Sequence, residues 1–276
     1  MNLERELEVA ERLARAAGAI ELGYFGTGIA VEYKPHEEGP VTRADKEADA
    51  LILAGLRAAF PDDGILSEES ADDGSRRLHS RVWMVDPLDG TKDFIRGRTG
   101  FSVMIGMTID GVPALGVVFQ PSTGTLYRAA RGHGASIVDE SGTRALKVST
   151  VEDLASIRLV ASKSHRSERI DQVRSVLGVQ DEMNIGSVGL KLGLIARGDR
   201  DLYVNPASLS SLWDTCGPEA ILVEAGGRMT DLYGAPLDYR GEEVKNSRGL
   251  IASNGVLHEA VVAKLGAVFA SGPDTK

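Results

Sequence analysis

Trp83-Met84-Val85-Asp86-Pro87-Leu88-Asp89-Gly90-Thr91-Lys92-Asp93-Phe94 is the stretch on which the reading of this chain turns. Its apolar start, running from Arg81 to Val85, predicts a short strand that ends at Asp86. Pro87 then blocks a helix and fixes the backbone. Asp86 and Asp89 can fold back on one centre, with the Leu88 carbonyl between them. Oxygen donors in this mix suit a hard cation such as Mg²⁺. Gly90-Thr91 opens a helix, and helix N-termini receive phosphate through free backbone N–H groups. An Asp-rich turn before a capped helix would read the same way, so the stretch gains meaning only from its surroundings.

Upstream, Leu66-Ser67-Glu68-Glu69-Ser70 places two glutamates after a strand-like Ile65-Leu66; alone, that is a solvated acidic loop. Val41-Thr42-Arg43-Ala44-Asp45 precedes a helix predicted from Asp45 to Phe60, with Thr42 or Asp45 as its cap and Pro61 as its stop. An earlier helix is predicted over Leu3–Phe25, where Leu3, Leu7, Ala10, Leu13, Ala14, Ala17 and Ile20 form one stripe. Downstream, Phe101–Ile109 and Val112–Phe119 flank Asp110-Gly111, a hairpin signal, and Leu126–Ala130 is a further strand. To about Ser149 the chain therefore reads as helices on one side of a mainly antiparallel sheet.

The second half alternates. Strands are expected at Ile157–Ala161, Leu202–Val204 and Ile251–Ser253. Helices are expected at Arg166–Leu177, Val188–Ala196, Trp213–Ala225 and Val256–Phe269. That alternation is an α/β layer. With no Pro- or Ser-rich linker, the expectation is two intimately packed subdomains, 1–150 and 151–276, with the site in the cleft between them.

Composition narrows the partners. The 276 residues carry a net charge of −9, with 42% hydrophobic and 26% charged residues, as in an ordinary globular protein. A chain this acidic gains nothing from counterion release, so a nucleic-acid polymer and an anionic membrane surface are poor partners. A small anionic substrate stays open, because a bound divalent cation reverses the local sign of charge. One cysteine, Cys216, permits no intrachain disulfide, and Met1–Ala17 has no signal-peptide pattern; a cytoplasmic location is expected. No stretch approaches the ~20 apolar residues of a membrane span.

Trp213-Asp214-Thr215-Cys216-Gly217-Pro218 also opens a helix, and Gly226-Gly227 stops it. Taken in order, the glutamate pair, Asp86 to Thr91, Trp213-Asp214 and the double glycine resemble the inositol monophosphatase superfamily from Val41 to about Ser253. The resemblance implies its alternating αβαβα sugar-phosphatase fold. It implies two or three Mg²⁺ ions held by Glu68, Asp86, the Leu88 carbonyl, Asp89 and Asp214. It makes Glu68 and Thr91 the groups that orient and deprotonate a water, with Asp45 holding Thr91. Gly90 and Thr91 N–H groups would receive the phosphate, alongside Asp214. Lithium sensitivity and a homodimer are family traits.

Within the superfamily the chain looks most like the 3′(2′),5′-bisphosphate nucleotidases. Thr91-Lys92-Asp93-Phe94, Ser162-Lys163-Ser164-His165, Gly186 to Lys191 and Trp213 to Glu219 resemble their motifs. Val204–Leu212 lacks the acidic residue that the inositol branch places before Trp-Asp. The implied reaction is hydrolysis of the 3′-phosphate of adenosine 3′,5′-bisphosphate; the alternative is an inositol or related sugar-phosphate phosphatase with the same metal site. Lys191 is the candidate for the second phosphate, with Ser162 and His165 near ribose or base. Asn205 stands where some nucleotidases carry arginine, and Arg197 or Arg200 are the cations at hand to replace it. His36, His79, His133 and His258 have no metal-ligand spacing, Cys216 reads as a packed helix residue, and Trp83 as core.

Overall fold

A computed structural model describes residues 2–33, 39–163, 168–207, 210–266 and 268–270. The chain begins with α1 (Glu4–Tyr24), a small hairpin of β1 (Val31–Tyr33) and β2 (Pro40–Thr42), and α2 (Arg43–Ala59). A seven-stranded sheet follows: β3 (Gly64–Ser67), β4 (Arg81–Asp89), then α3 (Thr91–Ile95), β5 (Ser102–Ile109), β6 (Val112–Gln120), β7 (Thr125–Ala130), β8 (Ala135–Asp139) and β9 (Gly142–Ala145). The strands lie in sequence order. Only β3 and β4 run parallel; the others pair antiparallel. At the β5–β6 turn Asp110 and Gly111 both take positive φ, 53° and 77°, which gives the tight turn the sequence signalled.

The second sheet is mixed. It uses β10 (Arg158–Ser162), β11 (Asp181–Ile185) after α4 (Glu168–Leu177), β12 (Leu202–Asn205) after α5 (Val188–Ala196), β13 (Arg228–Thr230) after α6 (Leu212–Glu224), and β14 (Leu250–Ser253), with α7 (His258–Leu265) last. Its order is β11-β10-β12-β14-β13.

Five layers result, in the order αβαβα. Helices α1 and α2 bury Leu13, Ala14, Ile52 and Leu56 against Trp83, Val85, Ile105 and Val117 of the first sheet. The other face of that sheet, with Met104, Val118 and Tyr127, packs on Leu190 and Ile221 of α5 and α6. The far side of the same two helices meets Val160, Tyr203 and Ala252 of the second sheet. Leu159, Leu202 and Ile251 point the opposite way, onto α4 and α7. This is period-two alternation placing successive side chains on opposite faces.

Several expectations change. The first sheet is covered on both faces, since α5 and α6 arrive from the second half of the chain. Short strands β1, β2, β8, β9, β11 and β13 were not anticipated: their apolar runs are too brief to signal. β9 is exposed along its whole length, and β11 is polar. The strand expected to stop at Asp86 continues to Asp89. Its ladder slips between them: Asp86 pairs with Met104 and Asp89 with Ser102. The final helix closes at Leu265, short of Phe269. Among the described residues no helix is long and apolar enough to cross a membrane.

Close approach of α6 to the sheet depends on glycine. A Cβ on Gly116 would lie 2.0 Å from the Gly217 carbonyl oxygen, and one on Gly106 would lie 2.4 Å from Gly217 N. Nothing larger fits at that contact.

Candidate active site

The slip in β4 shapes the site. It leaves Asp86 and Asp89 on the same cleft, while α6 supplies Asp214 from the other half of the chain. One oxygen from each of the three carboxylates lies within 4.8 Å of the others. Asp86 is buried, Asp89 and Asp214 half-buried. Each is locally held. The Leu88 N–H donates to Asp86 Oδ1 at 2.9 Å. The Ser211 N–H donates to Asp214 Oδ2 at 2.6 Å, so this carboxylate also caps its own helix. Asp89 Oδ2 accepts from Val188 N at 2.5 Å and Gly189 N at 3.3 Å at the start of α5. Glu68 lines the same cleft, and its N–H donates to the Val85 carbonyl at 3.1 Å.

These groups repel one another. Burial, then Glu68, Asp89 and Asp214, hold Asp86 well above the usual carboxylate range. Burial, then Asp89 and Glu68, push Asp214 up to about 8. Asp89 is also raised by burial, against the pull of Lys191 and the α5 N–H groups. Converging oxygen donors that resist ionisation together are stabilised by a cation. The gathered donor atoms are all carboxylate oxygens, a set that fits Mg²⁺ better than a softer metal.

Thr91 heads α3. Its hydroxyl lies 3.2 Å from Asp45 Oδ1 and 3.1 Å from the Leu88 carbonyl oxygen. Asp45 is buried at the third position of α2, and its Oδ2 accepts from Thr42 N at 2.8 Å and Thr42 Oγ1 at 2.6 Å. Burial raises Asp45, and the Thr42 bonds oppose that rise. Gly90 precedes Thr91 with φ 101°, and a Cβ there would sit 2.6 Å from the Gly100 carbonyl oxygen. Only glycine meets both demands.

Gly90, Thr91, Ser162, Lys191 and Asp214 all line the one cleft. His165 lies outside the described residues. Lys191 is neither solvated nor extended along the cleft. It is 3% exposed, its Nζ donates to the Gly186 and Ser187 carbonyls at 3.2 and 2.9 Å, and it lies 5.3 Å from the Tyr203 ring centroid. Burial pulls it down to about 8, against the attraction of Asp89 and Asp214. It therefore sits beside the acidic cluster. Arg197 and Arg200 are engaged with Asp199 and Asp181 and do not line the cleft, whereas Asn205 does. Cys216 is buried and burial raises its thiol, as suits a packed residue.

Sequence reasoning missed three groups. Asp49 is buried one turn after Asp45; it accepts from Ser67 Oγ and, at 3.3 Å, from Ser70 Oγ, on either side of Glu68-Glu69. The Asp45-x-x-x-Asp49 spacing was its signal. Ser187, at φ 49°, caps α5 through Leu190 N at 3.1 Å and bonds Ser102 Oγ at 2.8 Å. Lys245 reaches the cleft wall from a segment with no local motif.

Fold and site together define a phosphoric monoester hydrolase. The chain belongs to the inositol monophosphatase family, which matches residues 2–268. It is 38% identical over 239 residues to the 3′(2′),5′-bisphosphate nucleotidase CysQ of Salmonella typhimurium, covering 86% of this chain and 95% of that protein. It is 34% identical over 267 residues to a histidinol-phosphatase of Mycobacterium tuberculosis, covering 95% and 98%. The inositol monophosphatase structure from Anabaena superposes with a TM-score of 0.77 at 30% identity, covering 99% of this chain and 98% of that one. Members of the family use metal ions, and membership implies a small phosphate-ester substrate.

Proposed function

We propose that this protein is a Mg²⁺-dependent phosphomonoesterase that hydrolyses the 3′-phosphate of adenosine 3′,5′-bisphosphate. The carrying observation is the convergence of Asp86, Asp89 and Asp214 beside the Thr91–Asp45 pair. The similarity to a bisphosphate nucleotidase at 38% identity supports the choice of ester.

Glu68, Asp86, the Leu88 carbonyl, Asp89 and Asp214 would hold two or three Mg²⁺ ions. When bound, Mg²⁺ supplies the positive charge that acidifies water and stabilises the reacting phosphate. The chain's own residues do the rest. Thr91 orients a water from the mouth of α3, with Asp45 fixing the hydroxyl. Glu68 takes the proton. Gly90 and Thr91 N–H groups bind the phosphate oxygens. Lys191 adds charge beside the cluster, and Ser162, on the cleft wall, would stand near the ribose or base. The first subdomain, 1–150, supplies most of the ligands; the second, 151–276, brings Asp214 and the substrate wall. Lithium sensitivity, a homodimer and a cytoplasmic location accompany this reading.

Similarity to a histidinol-phosphatase and to an inositol monophosphatase supports a second ester class on the same metal site. Phosphate release with Mg²⁺ from adenosine 3′,5′-bisphosphate, inositol 1-phosphate and histidinol phosphate, with and without lithium, decides between them. Preference for the nucleotide, lost in lithium, upholds the proposal; preference for either other ester overturns the substrate and keeps the class.

A further inference from the structure

The acidic cluster accounts for one phosphate. A substrate with a second anionic group needs a cation elsewhere on the cleft. Lys191 is poorly placed for it, since two of its three N–H groups already serve carbonyls and its charge faces Asp89 and Asp214. The arginines near Asn205 are paired with carboxylates off the cleft.

We propose that Lys245 forms a second-anion subsite. The substrate class is then a phosphate monoester whose non-reacting part carries a further fixed negative charge. This rests on the phosphomonoesterase reading given above and deepens it.

Lys245 is held by its backbone. Its Cα pairs with Ser211 in an isolated antiparallel bridge. On either side, Leu212 N donates to the Val244 carbonyl at 2.9 Å and Asn246 N to the Ser210 carbonyl at 2.8 Å. The buried Asn246 amide also donates to the Ser211 carbonyl at 2.9 Å. Ser211 is the residue whose N–H holds Asp214. The lysine's backbone is thus clasped to the segment that positions a carboxylate of the cluster. Its side chain is exposed and lines the cleft with Asn205, Ser210 and Trp213. Among the described residues its ammonium makes no ion pair and no hydrogen bond. That matters in a chain of net charge −9, whose other exposed cations are commonly paired with carboxylates. An ammonium on the cleft wall favours an anion and repels a cationic amine; towards a neutral polyol it offers no charge complementarity.

The test uses the full chain with Mg²⁺, adenosine 3′,5′-bisphosphate and adenosine 3′-monophosphate. The readout is the ratio of kcat/KM for the two nucleotides. Lys245→Ala should lower that ratio about tenfold, mainly through KM of the bisphosphate. Lys245→Glu should lower it further, and Lys245→Arg should restore most of it. An unaltered ratio in Lys245→Ala overturns the subsite. A wild-type protein that prefers inositol 1-phosphate to both nucleotides overturns the nucleotide substrate instead; the Lys245→Ala ratio is measured in the same series and decides the subsite separately.

Discussion

Asp45 and Asp49 stand one turn apart on α2 and brace two different parts of the cleft: Asp45 meets the Thr91 hydroxyl, and Asp49 takes the hydroxyls of Ser67 and Ser70. One rigid helix therefore sets the distance between the Thr91 corner and the Glu68 loop. Asp49→Ala removes the brace from Glu68 without touching a ligand. Outer partners of metal ligands are worth about 10- to 100-fold in affinity or activity. The Mg²⁺ concentration for half-maximal activity should rise about tenfold. An unchanged Mg²⁺ dependence would show that the loop holds Glu68 unaided.

The Thr91 hydroxyl has one proton and two acceptors within reach, Asp45 Oδ1 and the Leu88 carbonyl. If Thr91 and Asp45 act as one unit, their losses do not add. Thr91→Val and Asp45→Asn should each lower kcat by about 10²- to 10³-fold, and the double variant should lose little more than the worse single one. Additive losses in the double-mutant cycle would separate the two roles.

Asp89 bridges the β4 slip and the head of α5. Asp89→Asn keeps a side-chain oxygen for Val188 N and Gly189 N but removes a charge from the cluster. Turnover should fall by at least about 10³-fold while circular dichroism stays that of the wild type. Near-wild-type turnover sinks the assignment of Asp89 as a metal ligand.

His258 is fully buried between Thr230 Oγ1 and Ser253 Oγ, each 2.9 Å from a ring nitrogen. Burial lowers it from 6.5 to about 4. The unfolded chain takes up the proton near 6.5 and the folded chain only near 4, so this contribution is present above 6.5 and lost as pH falls towards 4. Linkage sets it at about 3 kcal/mol. The raised carboxylates Asp86 and Asp214 push the opposite way on acidification, so the readout is a difference between proteins. Between pH 7 and 4.5 the Tm of His258→Gln should fall less steeply than that of the wild type, from a lower start. Parallel slopes would remove His258 as the source.

Much of this molecule is written locally. Strand ends, capped helices and the run from Asp86 to Thr91 are dictated by neighbours in sequence. Apolar periodicity and turn chemistry act over a few residues, so the helices, the antiparallel strands and the Asp86–Asp89 turn were readable from the residues themselves, whereas Glu68, Asp214 and the full layer order entered only through the resemblance. Resemblance over most of the chain then tied distant pieces such as Asp86 and Asp214 together.

What only the tertiary structure decided is long-range. Covering the second face of the first sheet with α5 and α6 depends on glycine contacts between Gly116 and Gly217, over a hundred residues apart. Lys191 read as the cation for a second phosphate because a sequence shows charge and hides burial; in the fold it is buried beside the Tyr203 ring. Asp49 and Lys245 gained their places through hydrogen bonds to partners 18 and more residues away, namely Ser67 from Asp49 and Ser210 from the neighbour of Lys245. The sequence alone determined which side chains could do the chemistry. Packing determined which of them face the cleft, because burial and close approach are properties of the assembled layers.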